Sequence, residues 1–360
     1  MNVTPENAPA SQSAQPPRLM PSFIAGFNTV ASNIYLILLP VLLDLLLWFG
    51  PHLRLKELML PFVLDSIAAV REMNNSGTNV EMLAGIEQIW TSFLEHYNVL
   101  SMLNTFPVGV PSLMAGQGPL NTPFGSAPVM EISGVLAALG LWLLAGIIGL
   151  VLGSLYFATI AHYSVPLPAN APLPASSALG QNRVQPRVEP AQTPSAPLSL
   201  HRLGWQVLQV ILLIIILFAL LMILFLPAMF ITSILTLLSP ALATIALVGM
   251  SFIVLWLLIP LVFSPHGIFV LSLNALSAML ASARLVRFFL PGTGLFLLMT
   301  VIFYQGLGIL WRTPPDTSWM ALVGIFGHAF ISTALLSASF FYYRSGHEFV
   351  LSLRKSMNSA

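Results

Sequence analysis

From Leu203 to Ala283 the chain contains no Asp, Glu, Lys or Arg. Within that stretch, residues 207–226 (VLQVILLIIILFALLMILFL) and 241–263 (ALATIALVGMSFIVLWLLIPLVF) are apolar runs of spanning length. A helix rises about 1.5 Å per residue, so about 20 apolar residues cross a hydrocarbon core of about 30 Å. Four further runs meet the same test, at 27–49, 133–163, 292–311 and 318–343. The pattern predicts an all-α polytopic membrane helix bundle of six transmembrane helices. The first carries Pro40 and Asp44, and Gly50–Pro51 closes it. Residues 227–238 are too short to cross alone, so they either continue the third span past Pro227 or lie in the interface. Ser239–Pro240 reads as the start of the fourth span, with Ser as N-cap and Pro at the first helical position.

Polar segments divide the bundle. Residues 50–132 predict an external helical insertion. In it, 61–73 (PFVLDSIAAVREM) reads as a short helix, and Leu83, Ile86, Trp90, Phe93, Tyr97 and Leu100 recur at three- and four-residue steps along a second. From 106 to 128 the density of Pro and Gly predicts irregular chain. Residues 164–203 hold eight prolines among Ala, Ser, Asn and Gln and predict a Pro-rich linker. The Pro-x-x-Pro at 194–197 is of the kind that composition alone produces. Residues 204–345 form a four-helix membrane region in which 266–289, apolar but bearing Asn274, Ser277, Ser282, Arg284 and Arg287, predicts an interfacial helix. Residues 1–26 and 346–360 read as a disordered N-terminus and a tail.

Composition narrows the function classes. The chain is 57% hydrophobic and 7% charged, against about 25% charged in a soluble domain. A net charge of +1 without a clustered basic face gives no footing for nucleic acid. With no cysteine there is neither a disulfide nor a thiolate site, and seven scattered His show no metal-ligand spacing. No metal or cofactor is implied. The first run is too long for a signal-peptide core and lacks a small-residue cleavage site, so it reads as an uncleaved span.

The cations set an orientation, because positively charged loops stay cytoplasmic. Six spans with the N-terminus inside place Arg18, Arg183, Arg187, Arg202, Arg284, Arg287, Arg344, Arg354 and Lys355 in the cytoplasm. Only Arg54, Lys56, Arg71 and Arg312 then lie outside. Both termini are expected in the cytoplasm of a bacterial plasma membrane. Trp48, Trp311 and Trp319 anchor the outer face, and Tyr163, Trp205, Tyr342 and Tyr343 the inner.

Asp44 is the one acidic residue inside an expected span. A charge at mid-helix costs about 2.5–3.5 kcal/mol on insertion scales, so it needs a partner. Gln305 and His328, with Ser332 one turn beyond, fall at similar depth and form the candidate polar cluster. It would serve either a proton- or substrate-coupled site or plain interhelical hydrogen bonding. Ala145, Gly149 and Gly153 fall at i, i+4 and i+8, a ridge that lets another helix approach closely. Arg284 and Arg287 are candidate lipid head-group contacts, and setting topology explains them equally well. The excess of Glu and Asp in 50–132 reads as the solvated side of amphipathic helices. FGPH at 49–52 and FSPH at 263–266 hint at an inverted repeat.

Two stretches, GVPSLMAG (109–116) before GSAPVMEISG and GHAFIST (327–333), resemble uncharacterised bacterial six-span membrane proteins. That resemblance implies a hydrogen-bonding rather than a titrating group at His328 and brings no activity with it. The layout of residues 205–345 is similar to membrane domains attached to glycerophosphodiester phosphodiesterases, without their catalytic domain. Three functions follow as expectations. The first is a non-enzymatic membrane component organising lipid or a partner complex, with the bilayer, a membrane protein or a second copy as partner. The others are a transporter or transporter subunit and an intramembrane enzyme.

Overall fold

The computed structural model describes residues 16–73, 80–164 and 199–358. Most of the expected linker and N-terminus, including Arg183, Arg187 and the Pro-x-x-Pro, lies outside them. The fold is almost wholly helical, with 81% of the described residues in helices. Among the described residues five helical stretches are long and apolar enough to cross a membrane, or six if one bent pair counts as a single span.

That pair is the first apolar run. Helix α1 (Leu19–Ser32) and the chain from Ile34 through α2 (Leu38–Phe49) meet at Asn33 with a bend of 95°. Pro40 explains where the break falls. Its ring excludes a helical carbonyl four residues earlier, so a straight helix through 36–40 is disfavoured. In the first turn of a new helix its missing N–H costs nothing. A 3-10 turn at Ile34–Ile37 joins the two parts. The run therefore begins earlier than its hydropathy indicates, and it is broken at Asn33 rather than merely kinked at Pro40.

The pair flanks the last helix, α11 (Ala321–Asn358). A Cβ on Gly26 would lie 2.5 Å from both Ala334 O and Ala338 N, so only glycine lets α1 approach α11 this closely. At one end Arg18 shares a cleft with Ser345 and Glu348. At the other, the Trp48 indole N–H donates to Asp316 O (3.0 Å), just ahead of α11. Those ends of α11 are about 38 Å apart along its axis.

The insertion is closed at its base by two parallel strands, β1 (His52–Arg54) and β4 (Val129–Glu131), with Arg54 and Glu131 paired at 3.0 Å. Between them, α3 (Lys56–Met73) and α4 (Val80–His96) form a helical pair around Val63, Ile67, Leu83 and Leu94. A hairpin of β2 (Asn121–Thr122) and β3 (Gly125–Ser126) carries the exposed Phe124 onto Phe49 and Trp319, with ring centroids 5.6 and 5.1 Å apart. The chain between α4 and β2 does not stay in the insertion. It descends along α5 (Val135–Ser164) and returns.

Helix α6 (Leu200–Leu238) runs through Pro227 for 39 residues, about 58 Å. It turns at Ser239 into α7 (Pro240–Leu258), where Pro240 takes the expected first position but the Ser239 side chain caps nothing. The expected interfacial helix 266–289 is two helices. They are α8 (Ser264–Leu271), buried in the bundle, and α9 (Ala275–Phe288), separated by Ser272 in a left-handed conformation (φ 53°). Buried Gln209 accepts from Ala275 N–H, and Asn274 caps α9 through Ser277 N–H. Helix α10 (Leu290–Trp311) then leads back to α11.

Candidate functional site

Asp44 lies on α2 with no exposed surface. Its Oδ1 accepts from the Ser112 hydroxyl (2.5 Å) and from Met114 N–H (3.0 Å). Ser112 Oγ in turn accepts from Ala115 N–H (3.0 Å), so a compact turn is bound on the carboxylate. The partner is therefore the GVPSLMAG stretch of the insertion, not Gln305 or His328. Pro and Gly keep this stretch from helix formation, which leaves its backbone N–H groups free to meet a buried acceptor. Val108, Val110, Leu113 and Met114 are buried with it. Asp44 Oδ2 has no hydrogen-bond partner among the described residues.

The small-residue ridge on α5 receives this same segment. A Cβ on Gly149 would stand 2.5 Å from Leu103 O, and one on Gly153 2.6 Å from Val108 O. Ala145 is buried on the same face. The ridge thus admits non-helical backbone, where spacing alone points to a helix. Gly153 lies 18 residues into a 30-residue helix, so the chain at Val108 and Gly109 sits beyond the midpoint of α5. Backbone without regular structure at such a place requires burial in protein. Here α5, α2 and α11 provide it: Leu113 reaches to within 3.6 Å of where a Cβ on Gly324 would lie.

Among the described residues, none of the other members of the expected cluster hydrogen-bonds Asp44. Gln305 is exposed on α10. Ser332 donates to His328 O in its own helix (2.7 Å). His328 is 3% exposed, faces the Tyr304 ring (centroids 5.4 Å), and its Nδ1 has no partner among the described residues. Arg284 and Arg287 are both on the exposed face of α9, opposite the buried Ala278, Ser282 and Leu285.

The surroundings of His266, marked in the sequence only as part of FSPH, are not legible there. His266 on α8 is 6% exposed among Phe263, Phe340 and Tyr343, with Nε2 2.6 Å from Ser339 Oγ. A nucleophile beside a base is what an enzyme needs, but the proton inventory runs the other way. Ser339 already donates to Leu336 O (2.6 Å), so it accepts from His266 Nε2–H. The pair ties α8 to α11. His52 is buried too, facing Leu47 O at 3.1 Å, but it opens a strand whereas His266 lies in a helix. The two FxPH stretches therefore do not repeat a structure.

Above the site, a cleft of about 220 Å³ opens between α4 and the returning chain, lined by His52, His96, Asn98, Ser101, Met114 and Gln117. Beside it, burial raises the Asp316 carboxyl above its usual 3.8, and His96 nearby opposes the shift. Among the described residues no group of three His, Asp or Glu side chains could hold a metal ion. Comparison with family models, with curated proteins and with solved structures finds no match.

Proposed function

We propose that this is a non-enzymatic, multi-pass membrane component whose outer insertion is fixed to the bundle as a platform for lipid or for a partner complex. The observation that carries this reading is the commitment of Asp44 to Ser112 and Met114. Asp44, the one carboxylate among the described residues buried in an apolar helix, holds chain in place, as Gln209 does at α9. In this reading the bent pair counts as one crossing, because its ends meet opposite ends of α11. Six crossings then leave both termini on one face, the cytoplasmic side of a bacterial plasma membrane by the cation count. Residues 98–118 form a re-entrant segment, and Arg284 and Arg287 on α9 contact inner-leaflet head groups. A membrane protein or a second copy is the partner. Purification from native membranes in mild detergent after cross-linking tests the reading. A defined partner or a doubled mass supports it, and a single uncross-linked chain contradicts it.

A second reading, a transporter or transporter subunit, is favoured by one observation. The helical break at Asn33 interrupts the same apolar run that carries Asp44, and interrupted backbone at mid-membrane is where transporters place their sites. Flux of a small cation or proton through proteoliposomes, lost in Asp44→Asn, would replace the first reading with this one.

A further inference from the structure

We infer that one face of α10 is the contact by which two copies of this chain associate in the bilayer, with Gln305 of each copy hydrogen-bonded to its counterpart. Exposed hydroxyls on the apolar helices are satisfied locally. Thr232, Ser233 and Thr236 of α6 and Thr244 and Ser251 of α7 each donate to a carbonyl of their own helix. Gln305 is different. It is exposed on α10, and its amide, with two N–H donors and an acceptor oxygen, makes no hydrogen bond among the described residues. In the proposed crossing α10 ends at the interface with Trp311 and Arg312, which puts Gln305 about 9 Å into the hydrocarbon. An unpartnered amide at that depth costs free energy, and an amide on a second helix removes the cost.

The surface around it is shaped for a helix. Gly294, Leu298, Val301, Gln305 and Ile309 recur at three- and four-residue steps, so they share one face over about 22 Å of α10. Leu298, Val301 and Ile309 are 54%, 56% and 73% exposed, and a Cβ on Gly294 would meet nothing within 4 Å. The other side of α10 is the one this chain uses: Thr293 and Phe296 pack on Tyr342 of α11. Symmetry names the occupant. Two copies inserted with the same orientation are related by a two-fold axis along the membrane normal, so α10 meets α10 in parallel and each residue meets its own counterpart at one depth. An amide carries both donor and acceptor, so it is complementary to itself. A polar side chain within such a seam also fixes its register, as one Asn does at an a position of a coiled coil. Asn28 on α1 is a second exposed amide without a bond, but it lies one turn ahead of Ser32 and Asn33, where the helix breaks among other polar groups.

The inference rests on the proposed membrane-component reading and assigns its partner as a second copy. The chain has no cysteine, so single cysteines report contacts without background. The test is disulfide formation between full-length chains in native membranes treated with an oxidant. Leu298→Cys and Val301→Cys should give disulfide-linked dimers several-fold more readily than Leu295→Cys on the flank of α10 or Ile245→Cys on α7, both of them exposed. Adding Gln305→Leu to Val301→Cys should lower the yield several-fold, and adding Asn28→Leu should leave it unchanged. Melting in detergent should show both folded like the parent, and if either is not, the four cysteine positions decide without them. Equal yields at the four positions mean random collision and overturn the inference. So does the absence of any dimer, a yield that Gln305→Leu leaves unchanged in a folded protein, or a dimer strongest at Ile245, which would give the contact to α7. These outcomes leave the reading itself standing, because it fails only when no partner of any kind is captured by general cross-linking or when Asp44→Asn abolishes a flux.

Discussion

At the scale of single residues, Asp44 shows a carboxylate held by a loop where spacing along the chain points to other helices. Its need for a partner is legible in the sequence, since an acidic residue in an apolar run must be satisfied. The partner is not, because Ser112 lies in chain with no periodicity to give its direction. Asp44→Asn keeps the Oδ1 acceptor and should melt within a few degrees of wild type. Asp44→Leu strands the Ser112 hydroxyl and Met114 N–H, each costing about 1–3 kcal/mol, and should melt far lower in a thermal scan. Asp316 carries a pH dependence. Its folded pKa is raised by burial above the unfolded 3.8, so its contribution to stability is fully present below that value and is lost as pH rises through the folded pKa. Asp316→Asn should flatten the fall in melting temperature from pH 4 to 7. An unchanged slope would remove Asp316 as its source.

At the scale of elements, long apolar periods gave up their identity but not their ends. α5, α6 and α10 occupy runs that hydropathy marks out, whereas the split of 266–289 at Ser272 depends on neighbours. Gln209 from α6 caps α9, and no local rule reveals that. The ridge on α5 was visible as small residues, and its occupant was not, because glycine spacing reports closeness without saying to what. Two glycines on that helix separate the alternatives. A Cβ on Gly153 meets the backbone of Val108 and Gly109 within 2.7 Å, while one on Gly146 meets nothing within 4 Å. Gly153→Ala should cost about 1–3 kcal/mol through overpacking, and Gly146→Ala should be neutral or better, as read by melting in detergent. Equal tolerance would mean that residues 103–109 do not lie on α5.

At the scale of the whole molecule, the fold is a bundle of helices apolar enough to cross a membrane, with the insertion sewn into it. β1 and β4 close the base, Phe124 rests on Phe49 and Trp319 at the N-terminal end of α11, and the segment between α4 and β2 runs down α5 to Gly153. Reporter fusions at the two ends should mark the same, cytoplasmic face, and opposite faces would mean that the bent pair does not cross. The absence of cysteine makes a depth measurement free of background. Spin labels placed singly at Phe106 and at Asp65, in bilayer nanodiscs, compare collisions with oxygen, which concentrates in lipid, and with a water-soluble nickel complex. Phe106, exposed on the descending segment, should collide with oxygen and be shielded from nickel, while Asp65 on α3 shows the reverse. Nickel access at Phe106 equal to that at Asp65 would place the segment in water and contradict the account.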